Sequence, residues 1–136
     1  MYSRLEVARR LEYHTNFLKQ VARSSPRAEV AWEVGTVRQS LQFLVADGAG
    51  ASGSAAKAAA AIFERTEDTD AKQLCLDALS KINNRTARAE LLRIYERESQ
   101  AELRAQIAER LRKAVGSDPR IKSSETRTVL NQLGQP

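Results

Sequence analysis

At 136 residues the chain has ordinary single-domain size and can bury about two-thirds of its unfolded surface, so a self-sufficient core is expected. Hydrophobic residues make up 42% and charged residues 29%, with six Gly and three Pro, a balance that argues against disorder and against a β-rich fold. The single cysteine excludes an internal disulfide, no apolar run approaches the ~20 residues of a membrane span, and a formal charge of +5 makes an acidic partner or nucleic acid worth weighing.

The opening MYSRLEVARR lacks the apolar core of a secretory signal, which makes a cytoplasmic location the default expectation. Ser3 and Glu6 have the spacing of a capping box, so a first helix is expected to start there and run to about Arg23, with Leu5, Ala8, Leu11, Leu18 and Val21 as its apolar stripe. Ser25-Pro26 should end it and start the second, because Pro at the first helical position gives up an N–H that would be unbonded anyway. Helix two carries Val30, Val34, Val37, Leu41 and Leu44 on one side and Trp32 and Phe43 on another, which predicts neighbours on both sides. Gly35 in its middle predicts a close helix contact. Residues 47–53, Asp-Gly-Ala-Gly-Ala-Ser-Gly, then read as a flexible loop.

Helix three, from Ser54 to about Arg65, is nearly all Ala before Ile62 and Phe63. Helix four, capped by Thr69 or Asp70, places Ala71, Leu74, Cys75, Ala78, Leu79 and Ile82 in helical phase until Asn83-Asn84 interrupts it. Helix five runs to about Glu98 with Ala87, Leu91, Ile94 and Tyr95 inward. Ser99 to Glu102 has the spacing of a second capping box for helix six, which carries Leu103, Ile107, Ala108, Leu111 and Val115 and ends at Gly116-Ser117-Asp118-Pro119. A shorter helix seven, Ser124 to Leu133, presents Val129, Leu130 and Leu133. No segment has the alternation of a half-buried strand.

Helices three and five share a local signature. Ile62-Phe63-Glu64-Arg65 and Ile94-Tyr95-Glu96-Arg97 lie thirty-two residues apart, and the same shift lays Ala55 on Ala87. A shift of twenty-nine lays Leu74, Ala78 and Ile82 of helix four on Leu103, Ile107 and Leu111 of helix six, so the offsets differ by one short loop. Helix two supplies a third copy, Val37-Arg38-Gln39-Ser40-Leu41 against Leu103-Arg104-Ala105-Gln106-Ile107, with Cys75 where the other two carry Arg. Over roughly residues 28–133 this pattern resembles the HEAT or HEAT-like repeat, whose first helix commonly carries Val-Arg followed by Ala or Leu at this spacing. The expected fold is therefore all-α: about seven antiparallel helices in a right-handed, α-solenoid-like stack of HEAT-like pairs, with an irregular helical bundle as the alternative. Within a single domain, 1–136, the expected divisions are a capping helix at 1–23 and helix pairs at 26–65, 69–98 and 99–133. The physical reason for stacking is that one pair has too little apolar surface to close over itself and shares a side with the next.

Little in the chain points to catalysis. His14, the only histidine, sits between Leu11 and Leu18 and reads as a satisfied interior or interface residue; any triad would have to be built on it, without a nameable partner. Cys75 lies in an apolar phase and reads as a buried thiol. The Gly-rich segment at 47–53 lacks the Lys-Ser/Thr of a phosphate loop and follows no strand. No catalytic residue, metal ligand or cofactor site is assigned.

The cations carry more information. Met1 to Asp68 holds nine Lys/Arg against eight Asp/Glu, while Thr69 onward holds thirteen against nine, and sixteen of the twenty-two cations are Arg. Arg88, Arg93 and Arg97 on helix five, with Arg110, Arg112 and Lys113 on helix six, form the candidate interaction surface. The resemblance implies a non-catalytic scaffold that presents such a surface to a protein partner. The alternative is a nucleic-acid-binding module, as HEAT-like folds include DNA-repair proteins that hold duplex in a basic concavity. Against it stand the interleaved acids and the scarcity of aromatics for base stacking.

Overall fold

A computed structural model describes residues 3–24 and 34–134. Seven α-helices account for most of them: α1 (Arg4–Ser24), α2 (Val34–Asp47), α3 (Gly53–Arg65), α4 (Thr69–Ile82), α5 (Arg85–Arg97), α6 (Ala101–Ser117) and α7 (Ser123–Gln132). No strand occurs among the described residues. The expected Ser25-Pro26 junction, Val30 and Trp32 lie outside them, and so do the surroundings of Gly35.

Side chains of the connecting residues set most helix starts. The Ser3 hydroxyl accepts from the Glu6 amide at 3.2 Å, and Ser52 accepts from Ala55 at 3.3 Å. Asp68, rather than Thr69 or Asp70, caps α4 by accepting from the Ala71 amide at 2.9 Å. Asn83 takes the left-handed conformation (φ 41°) that ends α4, and Asn84 opens α5 by accepting from Ala87 at 2.7 Å. The expected box at Ser99–Glu102 does not form. Gln100 is the N-cap of α6 without a side-chain cap bond, and its amide donates to Glu98 Oε2 at 3.0 Å.

Residues 47–53 are more ordered than their composition predicts. Gly48–Gly50 form a 3₁₀ turn, Gly48 is buried against Leu44 and Ile82, and Asn84 Nδ2 donates to the Ala51 carbonyl at 3.3 Å. The connection is therefore bonded to the α4–α5 junction, and only Ala51 and Ser52 lie outside a helix or turn.

The helices fall into two sets. α1, α3 and α5 pack on one another in chain order, α2, α4 and α6 do likewise, and the sets meet where α1 lies on α2, α3 on α4 and α5 on α6. α4 also touches α5, and α7 covers part of α6. The apolar residues of the helices point into this shared layer, where Leu18, Leu41, Leu44, Ile62, Leu76, Leu79, Leu91, Ile107 and Leu111 are fully buried; Leu5 and Ala8, expected on the inward stripe of α1, are instead exposed because its first turns extend past the packed layer. α3 is flanked by α1, α4 and α5, which accounts for its alanines: Ala55, Ala56, Ala59 and Ala60 have no exposed surface, and small side chains let the axes approach. A Cβ on Gly53 would sit 2.9 Å from Thr86 Oγ1, so the first turn of α3 lies directly against α5.

Candidate functional site

The six cations assigned from the sequence do not converge. Arg88 is buried, and this corrects its place on an interaction surface: its guanidinium pairs with Glu125 of α7 in a two-pronged contact, and Nη1 donates to the Asn83 carbonyl at 2.6 Å and to Asn83 Oδ1 at 3.2 Å. The residue ties the α4–α5 junction to the last helix. Arg93 bridges Glu90 of its own helix and Glu64 of α3, and Arg97, largely exposed, lies 3.8 Å from the same Glu64. These two belong to the α3/α5 side. Arg110 belongs to the α4/α6 side, where it pairs with Asp77 and reaches Ser80 Oγ and Gln73 Oε1 at 3.5 and 3.4 Å. Arg112 and Lys113 are exposed on α6.

A groove of about 760 Å³ lies between α4 and α6. Gln73, Ser80 and Asn83 line it from α4 and its C-cap, and Gln106, Glu109, Arg110, Lys113 and Ala114 from α6. Gln73 Nε2 donates to Gln106 Oε1 at 2.7 Å across it. Its lining combines three amides and one hydroxyl with two cations and one carboxylate, groups that can hydrogen-bond both an extended backbone and an acidic side chain. Sequence reading missed Gln73, Ser80, Asn83 and Gln106. Gln73 and Gln106 stand thirty-three residues apart, one helical turn more than the twenty-nine-residue shift that aligns their helices, so the repeat did not pair them and gave no signal.

His14 is half-buried at the α1–α2 contact, and Cys75 occupies a closed setting. His14 Nδ1 lies 2.8 Å from the buried Ser40 Oγ, its ring stacks on Phe43 with centroids 4.7 Å apart, and Tyr13 meets it edge-on. Burial, reinforced by the charge of Arg10, lowers the His14 pKa. Cys75 is fully buried on α4, and burial pushes its thiol pKa up despite nearby Lys72. Among the described residues no group of three or more His, Cys, Asp and Glu side chains is placed to hold a metal ion, and no helix is long and apolar enough to cross a membrane.

Arg38 and Arg104, equivalent in the internal alignment, act differently. Arg38 of α2 reaches Asp68 and Asp70 at the start of α4, at 3.9 and 3.8 Å. Arg104 of α6 stacks its guanidinium 4.4 Å from the Tyr95 ring centroid on α5. Comparison with known protein families, with curated proteins and with solved structures finds no match for the chain.

Proposed function

We propose that the chain is a non-catalytic protein-binding module built of HEAT-like helix pairs, and that it receives an extended segment of a partner protein in the α4/α6 groove. The observation that carries this reading is the groove itself: side chains from two successive helices of one set meet in a polar channel open to solvent. Shape and hydrogen bonding to Gln73, Gln106 and Asn83 would position the partner's backbone, while Lys113 favours carboxylates beside it. The pairing of Arg93, Arg97 and Arg110 with acids, and their division between two sides of the fold, supports a protein ligand over a phosphate backbone, which rewards a contiguous band of uncompensated cations.

The test is a peptide-display selection against the wild type, followed by titration of the enriched sequences. Arg110→Glu/Lys113→Glu, in the groove, should weaken their binding at least tenfold, while Arg93→Glu/Arg97→Glu should leave it within twofold. No enriched sequence, or equal losses in both variants, would count against the groove. Labelled duplex and single strand titrated at two ionic strengths address the nucleic-acid alternative, for which affinity should fall steeply with salt.

A further inference from the structure

The first half of α1 exposes apolar surface on the side turned away from the fold. Leu18, Val21 and Ala22 face the core, and α1 packs on α2 and α3. On its other side Leu5 is 61% and Tyr13 67% exposed, the largest apolar residues left open among the described residues. Ala8, Arg9, Glu12 and Asn16 are exposed beside them. Steps of three and four residues place Leu5, Arg9, Glu12 and Asn16 in one row along the helix. Neither Arg9 nor Glu12 makes an ion pair among the described residues.

We propose that this face docks a second copy of the chain, the two α1 helices running antiparallel about a twofold axis between Arg10 and Leu11. That axis exchanges residues whose numbers are equally far from it. Arg9 then meets Glu12 of the partner subunit, and Glu12 meets Arg9 of the partner subunit, so one row of side chains satisfies itself twice. Leu5 lies beside Asn16 of the partner subunit, and Tyr13 and Ala8 border the row on opposite flanks. A parallel arrangement would set Arg9 against Arg9 and Glu12 against Glu12, so the charge order selects the antiparallel one. A single helix pair buries less than the roughly 1,200 Å² of a stable interface, so the dimer is weak and concentration-dependent.

Sedimentation equilibrium over two decades of concentration at low salt tests the proposal. The wild type should pass from monomer to dimer, while Arg9→Glu and Glu12→Arg should each remain monomeric across that range, with dissociation constants raised at least tenfold. Mixing these two variants in equal amounts should restore the dimer mass, since every charge then meets its opposite, and the double exchange R9E/E12R should dimerise on its own. The mixture also serves as the folding control, because misfolded single variants would not recover. A wild type that stays monomeric throughout, single variants that dimerise as well as the wild type, or a mixture that stays monomeric would overturn the proposal and leave the face to another occupant.

Discussion

Arg88 is a cation taken out of water and matched, through four side-chain and backbone contacts, to groups on two other elements. The desolvation of such a charge is offset only while its partners stay in place, so removing one side costs more than the pair contributes. Arg88→Ala is expected to destabilise the fold by about 2–3 kcal/mol, at the lower end for a broken buried pair because Glu125 keeps some solvent contact. Glu125→Gln, which retains an acceptor, should cost about 1 kcal/mol, and the two losses should not add. Denaturant midpoints of the two single variants and the double variant check this; an Arg88→Ala variant within about 0.5 kcal/mol of wild type would place Arg88 among ordinary surface residues.

His14 gives a residue-scale expectation with a definite sign. Its pKa is lowered in the folded chain, first by burial and then by Arg10, so the unfolded chain binds the proton more readily. The contribution of neutral His14 to stability is therefore complete above the ordinary value near 6.5 and is lost as pH falls from there through the folded-state value. Thermal midpoints at pH 7.5 and 5 should differ more for the wild type than for His14→Gln, which cannot titrate. An identical pH response in both proteins would remove His14 from the account.

At the scale of the helix, α3 shows how packing selects composition. Held between α1, α4 and α5, it has no room for side chains larger than Ala at positions 55, 56, 59 and 60. Leu91 of α5 occupies the position that the thirty-two-residue shift assigns to Ala59, yet Ala59→Leu is expected to destabilise by about 1–3 kcal/mol through overpacking. At its first turn, Gly53→Ala should cost about 1 kcal/mol unless Thr86 is also shortened to Ala, because the new methyl meets the Thr86 hydroxyl. Unfolding midpoints of Gly53→Ala with and without Thr86→Ala separate this contact from helix propensity.

The same elements show what was legible in the sequence. Helix bounds come from local periodicity and punctuation, and α3 to α7 begin and end within a residue or two of the positions read from them. Two of the caps were misread because candidates crowd each junction and only the backbone path selects among them: Asp68 reaches the free Ala71 amide, and α6 starts one residue later than the expected box, with Gln100 as its N-cap and the Gln100 amide bonded to Glu98. Leu76 was passed over because α4 is buried on more than one side, which a single apolar stripe does not reveal. Arg88 flanks the Ala87–Leu91 stripe and looks like a neighbouring surface Arg. Its burial depends on α7 returning to it with Glu125, thirty-seven residues along the chain. The α4/α6 groove is a tertiary object of the same kind, assembled from polar residues that are unremarkable one helix at a time.

For the whole molecule, the principal packings join helices that are neighbours or next-neighbours in order. Such a chain distributes its stability by position, because each inner helix is secured from both sides and each outer helix from one. α3 and α4 occupy the best-secured positions, and their core residues Ala59, Ile62, Leu76 and Leu79 have no exposed surface. α1 presents its first turns to solvent, and α7 is held mainly by Val129, Leu133 and the Arg88–Glu125 pair. Native-state hydrogen exchange should therefore be slowest for the amides of α3 and α4, intermediate in α2, α5 and α6, and fastest in the first turns of α1 and in α7. Arg88→Ala should speed exchange in α7 more than in α3, because the lost clasp acts on that helix directly. Equal protection from α1 to α7 would mean that all seven helices open only together, and graded assembly by neighbouring helices would then not describe the fold.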